Sequence, residues 1–314
     1  MIDAYDRKVL RQIAGHVANP GMLVQFAKLL GRPLAMTLDS ARCSKNPLLC
    51  KVQSTINTAL STGIKKIMLT SGKLASDQQI LRHYQTQQVY IRTLADIKDL
   101  RLEHIDVVAN SYRRSNALSV GIEGAVMGAA ATVAEGSFMG LVTVPAIVAA
   151  DVSLALVLLS RSVCQIGATY GYSAQSSLNL PHFMAALAPQ QSLPKETYFV
   201  GKSMALQAIY QSKQFLLCNA GRILDERLLQ KEAPQLLKLL NYVLNKLGVL
   251  VTEKELGMLL PAAGAILNSS ANIIFQKMGH QTAQDYFRIL FLEDKYSPEI
   301  IRDILQREVE QLRR

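Results

Sequence analysis

Apolar positions recur at helical spacing along most of the chain. In residues 3–18, Tyr5, Val9, Ile13 and Val17 stand four apart and form one stripe. Asn19-Pro20-Gly21 ends it. A second helix is expected over Met22–Leu30, closed by Gly31-Arg32-Pro33. Residues 47–69 open on Pro47 and carry Leu48, Val52, Ile56, Ala59, Leu60, Ile64, Ile67 and Met68, the pattern of a long amphipathic helix with proline in its first turn. Lys65 and Lys66 fall near its end, where cations favour the helix dipole. Residues 77–110 keep the helical period but are rich in glutamine and mixed charge, which makes most of them a solvated face.

The pattern changes at Leu118. From there to Ser160 the charged residues are Glu123, Glu135 and Asp151, and glycine and alanine dominate. Gly124-x3-Gly128 and Gly136-x3-Gly140 suit helices whose backbones approach closely. The longest uncharged run, Gly136–Ala150, is 15 residues and holds Pro145, whereas a spanning helix needs about 20, so the segment is expected as a buried hairpin. After Pro145 the helix is apolar on every side through Tyr170, with Gly171 placed to stop it. Residues 181–195, with three prolines, read as a connector. Amphipathic helices follow over roughly 195–217, 221–247, 253–279, 281–292 and 297–313. The expected fold is an all-α, multi-helix, bundle-like single domain over 1–314: basic N-terminal helices (1–117), a Gly/Ala-rich apolar hairpin (118–172) and C-terminal helices (173–314).

Composition agrees with this. A chain that is 49% hydrophobic and 18% charged folds, and one with no tryptophan and 6% aromatics favours helices over strands. The net charge of +10 is concentrated early: residues 1–117 hold 17 Lys/Arg against 8 Asp/Glu, while residues 191–314 hold 16 against 13. A basic third followed by an apolar segment favours an anionic membrane surface or a membrane protein as partner. Nucleic acid is disfavoured, because no zinc-finger spacing, recognition helix or basic-aromatic motif accompanies the charge. Lys65, Lys66, Arg113 and Arg114 are the candidate membrane or anion contacts. Acidic residues at Asp3 and Asp6 do not suit a secretory signal, so a cytoplasmic protein, peripheral on the inner membrane face, is expected. The four cysteines, Cys43, Cys50, Cys164 and Cys218, are then free thiols, and their spacing offers no metal site.

No nucleophile elbow, phosphate loop, metalloprotease or dinucleotide motif occurs, and His16, His83, His104, His182 and His280 are isolated. No catalytic residue and no cofactor are assigned. Three carboxylates stand in apolar surroundings: Glu123, Glu135 and Asp151. Burying an unpaired carboxylate costs several kcal/mol, so each is protonated, paired or exposed at a bend. One account pairs Asp151 with Arg161, Arg288 or a helix N-terminus. Arg161, ten residues on, does not lie above it on a straight helix, which favours a partner from elsewhere. A second account has Glu123 and Asp151 lining a pocket for a cation, an amine or a head group, and a third, with no nucleophile beside them to support it, has the carboxylates act in general acid/base catalysis. Tyr170-Gly171-Tyr172 is either a helix-ending turn or an aromatic wall.

A set of marks in fixed order resembles the EcsC protein family: Glu123-Gly124, Pro145 with Asp151 six residues later, Arg161, Tyr170-Gly171-Tyr172, Leu260-Pro261-Ala262-Ala263-Gly264-Ala265 with Asn268, and Ala283 with Tyr286-Phe287-Arg288-Ile289-Leu290. The resemblance spans about residues 40–292. It implies an α-helical protein, cytoplasmic or on the inner face of a membrane, and brings no enzyme activity with it. It also adds Asn268 and Arg288 to Glu123, Glu135, Asp151, Arg161, Tyr170 and Tyr172 as ligand-binding candidates. A weaker similarity links the apolar core to helical membrane-associated domains that accompany some bacterial GTPases. The expectations are a non-enzymatic accessory protein at a membrane surface, a binding module for a lipid or small amphiphile, or a membrane-inserting effector.

Overall fold

Helix α1, Ala4–Ala18, buries Val9, Leu10, Ile13 and Ala14, so its core face sits one step round from the stripe of spacing four. In the computed structural model, which describes residues 2–18, 47–113, 140–188, 196–220, 224–258 and 264–312, every element is helical. The described chain is 88% helical with no strand, against about a third for an average globular protein. The expected helix over Met22–Leu30, the first arm of the hairpin with Glu123 and Glu135, and Arg114 lie outside the described residues.

Helix α2, Pro47–Leu74, starts on its proline as expected and runs five residues past the predicted end. The polar stretch resolves into α3 (Asp77–Thr86), a 3-10 turn (Leu94–Asp99) and α4 (102–113). Helix α5, Gly140–Thr169, contains Pro145 and packs chiefly against α2 and against α10, defined below. It ends as the sequence indicates. Gly171 takes φ +89, the Tyr172 amide donates to the Gly167 carbonyl at 2.9 Å, and the Gly171 amide donates to the Ala168 carbonyl at 3.1 Å. That pair of bonds closes a helix on a left-handed glycine. A Cβ at Gly171 would also meet the Leu94 carbonyl at 3.0 Å.

The stretch read as a connector from 181 is instead a short buried helix, α6, Leu180–Leu187, with Pro181 in its first turn. Proline is pre-organised there, and all eight side chains are buried, so packing overrides the breaker signal. Then come α7 (Glu196–Cys218), α8 (Glu226–Glu232), α9 (Pro234–Met258), α10 (Gly264–Tyr296) and α11 (Pro298–Leu312). The two helices expected over 253–279 and 281–292 become the end of α9 and one continuous α10. One apolar cluster joins α1 through α11.

Glycines set the closest approaches to α5. A Cβ at Gly63 would lie 2.8 Å from Leu156 Cδ1, and one at Gly279 would lie 2.0 Å from Leu159 Cδ1. Gly167 is tighter in consequence, because its Cβ would meet two buried rings, Phe183 Cε1 at 2.4 Å and Phe287 Cζ at 2.7 Å. Gly167→Ala is therefore expected to destabilise by about 1–3 kcal/mol. Gly15→Ala in α1, with nothing within 4 Å, is expected to stabilise by up to ~1 kcal/mol. Thermal unfolding of the two variants tests this, and a Gly167→Ala protein that melts like the parent refutes the packing account.

Candidate functional site

Asp151 lies on the face of α5 turned toward α9 and α10, and is 3% exposed. Its partner is Lys254, near the C-terminal end of α9: Nζ donates to Asp151 Oδ2 at 2.6 Å and to Glu255 Oε1 at 2.7 Å. Asn272 of α10 donates through Nδ2 to Asp151 Oδ1 at 3.3 Å. The ring of Phe275 lies 5.8 Å below the ammonium. Lys254 and Glu255 are 6% and 0% exposed, so this is an ionic group inside the protein.

One lysine faces two carboxylates, and the environment decides which keeps the proton. Burial disfavours the charged form of each. For Asp151 that penalty is outweighed by the Lys254 ammonium and by hydrogen bonds from Lys254, Glu255 and Asn272, which hold its carboxyl below the usual range. For Lys254 the charges of Glu255 and Asp151 outweigh burial and raise its affinity for protons. For Glu255 burial dominates over the pull of Lys254, and the neighbouring Asp151 charge adds to it, pushing the carboxyl up to about 8. At neutral pH the group is an aspartate, an ammonium and a protonated glutamic acid, with no net charge.

A second buried group closes the other end of α10. Arg288 forks onto Asp106 of α4, Nε to Oδ1 and Nη2 to Oδ2, both at 2.9 Å. The Tyr170 hydroxyl donates to Asp106 Oδ1 at 2.6 Å and the Tyr5 hydroxyl to Oδ2 at 2.8 Å. Asp285 stands beside it, accepting from His16 Nδ1 at 2.8 Å and from Gln281 at 3.0 Å. Its hydrogen bond raises the His16 pKa, against the opposing effect of burial. Both oxygens of Asp106 are filled by protein donors, which is the geometry of a clamp joining α1, α4, α5 and α10.

Between the two groups α10 carries a polar residue at every fourth position: Asn272, Gln276, His280, Gln284 and Arg288, all buried. On a 3.6-residue helix these make one stripe. Gln276 donates to the Leu158 carbonyl at 3.4 Å, His280 meets Ser162 at 3.4 Å and Gln284 donates to Asn110 at 3.3 Å. Among the described residues two buried polar atoms of this stripe have no partner, Asn272 Oδ1 and His280 Nε2.

The structure thus separates residues that the sequence grouped. Asp151 meets Lys254 and meets neither Arg161 nor Arg288. Arg161 points to solvent from the exposed side of α5. Tyr170 and Arg288 share the Asp106 clamp. Tyr172 packs instead against His182 at 5.4 Å and Phe287 at 5.3 Å, and His182 meets the Tyr286 hydroxyl at 2.9 Å. Burial lowers the His182 pKa to about 4, so its ring is neutral. Lys65 faces Glu226 at 3.9 Å; Lys66 is exposed, and because α2 runs on to Leu74 neither lysine stands at its end as expected, while Arg113 is exposed at the end of the described part of α4. The side chain of Asn268 lies outside the described residues, as do Glu123, Glu135 and Arg114.

Sequence reasoning missed Asp106, Lys254, Glu255 and Asn272. The available signal was the run of polar residues at spacing four on α10, together with Asp106 flanked by Ile105, Val108 and Ala109. No group of three metal-ligating side chains occurs among the described residues.

The family model described as the EcsC protein family matches residues 43–292, a span that contains Asp106, Asp151, Arg161, Gly171, Lys254, Glu255, Asn272 and Arg288. No curated protein and no solved structure matches the chain. The match covers most of the sequence, the helical fold agrees with it, and the chain belongs to the EcsC protein family.

Proposed function

We propose that this protein is a non-enzymatic accessory protein that sits on the inner face of a membrane, against its anionic lipid or a protein embedded in it. The observation that supports this reading is the outer side of α5. Val144–Thr169 has a mean hydropathy of 1.9 and the length to cross a membrane, yet half of the window is buried in the protein. Of its two charges Asp151 turns inward, and the exposed stripe runs Ala146, Ala150, Ser153, Val157 and then Arg161. The Ser153 hydroxyl donates to the Ala149 carbonyl at 2.7 Å, which masks its polarity. An apolar strip ending in an arginine matches an interfacial helix whose cation reaches the phosphate level while its apolar side meets acyl chains. The basic excess of residues 1–117 adds long-range attraction to anionic lipid.

Flotation with vesicles containing phosphatidylglycerol is expected to recover the protein at low salt, with partial retention at high salt from apolar contact. Val157→Glu with Ala150→Glu should abolish the retained fraction. Protein that stays at the bottom under both conditions excludes the lipid surface, and recovery unchanged by the two glutamates excludes α5 as the contact.

A second reading, a binding module for a small amphiphile, draws support from a cleft of about 250 Å³ between α2 and α7. It is lined by Met68, Leu180, Phe215 and Leu216 with Ser71 and Asn219 at its polar side. Native mass spectrometry that retains a lipid on the purified protein would favour it.

A further inference from the structure

The cleft between α2 and α7 combines apolar walls with a single charge. Its volume of about 250 Å³ exceeds the ~150 Å³ that encloses a benzene and falls short of the ~300–1,000 Å³ of sites for drug-sized ligands. It has room for one short acyl chain and not for two. One wall is fixed before any ligand arrives. The Ser173 hydroxyl donates to Asp77 Oδ2 at 2.7 Å, and its oxygen accepts from the Gln175 amide at 3.2 Å. The Asn179 side chain donates to the Ser173 carbonyl at 2.9 Å, which closes the turn that carries Gln175 and Ser177. Gly72 sets that turn close against the end of α2, since a Cβ there would stand 3.4 Å from the Gln175 Cα. A wall held in this way lowers the ordering cost of binding.

Lys73, in the last turn of α2, is the one charged residue that lines the cleft among the described residues. The acids on either side of it are occupied: Asp77 accepts from Ser173, Asp225 caps α8 through the Leu228 amide, and Glu226 faces Lys65. The carbonyl end of α2 offsets about half of the lysine charge. The carbonyl end of α7 is met in part by Asn219, whose amide and Nδ2 both donate to the Phe215 carbonyl, at 3.0 and 2.9 Å. The balance at the polar side of the cleft is positive. Building on the amphiphile-binding reading, we propose that the cleft takes the anion of a medium-chain fatty acid. The carboxylate meets Lys73 and the hydroxyls of Ser71 and Ser177, and the chain lies against Met68, Phe215 and Leu216. A cleft that is apolar and nothing more makes the opposite choice of head, because a carboxylate costs more to desolvate than a hydroxyl.

Octanoate, 1-octanol and octyltrimethylammonium are the probes, titrated calorimetrically into the full chain at neutral pH. Octanoate is expected to bind roughly three- to ten-fold more tightly than octanol, and the ammonium most weakly. Lys73→Gln, at an exposed position, should remove that preference and keep the affinity for octanol. The location is read separately. The chain has no tryptophan, so Ala220→Trp, at an exposed position lining the cleft, supplies a fluorophore there alone. Octanoate should shift its emission or, where the indole fills the cleft, no longer bind that variant. Octanoate that binds the variant without changing its emission lies elsewhere and overturns the site. Octanol bound as tightly as octanoate, or a preference that survives Lys73→Gln, overturns the fatty-acid assignment and leaves the amphiphile-binding reading in place. If none of the three probes binds, that reading falls as well.

Discussion

Asp151→Ala is expected to cost about 3–5 kcal/mol, because it leaves the Lys254 ammonium in a 5%-exposed position with a single acid beside it. Asp151→Asn keeps an acceptor for Lys254 and removes the charge, so it should fall between the parent and the alanine variant. Pairing Asp151→Ala with Lys254→Met removes the stranded cation and should recover part of the loss, the non-additivity that marks a direct pair. Urea unfolding across pH adds an independent reading. Asp151 has a lowered pKa, so its contribution is present above the unfolded aspartate value and is lost as pH falls through the folded one. Glu255 has a raised pKa, so its contribution is complete below the unfolded glutamate value of about 4.3 and is lost as pH rises toward about 8. Relative to Glu255→Gln, the parent should lose stability on the order of 1 kcal/mol per pH unit across that window. A flat difference would mean that Glu255 does not hold its proton in the folded protein, and an Asp151→Ala protein as stable as the parent would remove the buried pair.

Arg288→Met is the second large effect. The arginine supplies two of the four hydrogen bonds that fill Asp106, and it also faces Asp285 at 3.6 Å. Without it a carboxylate that is 1% exposed retains two tyrosine hydroxyls and no salt-bridge partner among the described residues, for an expected loss of about 3–5 kcal/mol. Tyr170→Phe removes one donor and keeps the ion pair, so about 1.5–3 kcal/mol is expected. Because Tyr5 and His16 tie α1 to the same network, Arg288→Met should also loosen the N-terminal helix, read as faster amide exchange across Ala4–Ala18. Exchange in α1 unchanged while the variant is destabilised would show that α1 is held by its apolar face against α11 instead.

Much of the helical pattern was legible because it depends on local chemistry. Pro47 begins a helix, since its missing amide hydrogen is an orphan there in any case, and Gly171 ends one, since a glycine tolerates the positive φ. Local signals mislead at residues 181–187, where three prolines suggest a connector, and near residue 280, where the pattern suggests two helices and the structure has one. In both places a packing partner decides: α6 buries all its side chains, and Gly279 makes room for Leu159.

The site divides along the same line. That Asp151 must be neutralised follows from one charged residue in an apolar helix and the cost of burying it alone, which no partner needs to be known to state. Which residue neutralises it does not follow, because Lys254 is 103 positions away and reads in sequence as an ordinary charge in the Glu253-Lys254-Glu255 run. Arg288 and Asp106, 182 positions apart, are the same case. Helix formation and the need for charge compensation are set by neighbours along the chain and by composition, and these alone require an all-α protein with a few charges that must be paired. The pairings, the continuous buried seam and the outward turn of Arg161 depend on which helices cross and at what rotation. Those are properties of the packed core, set by contacts between helices far apart along the chain.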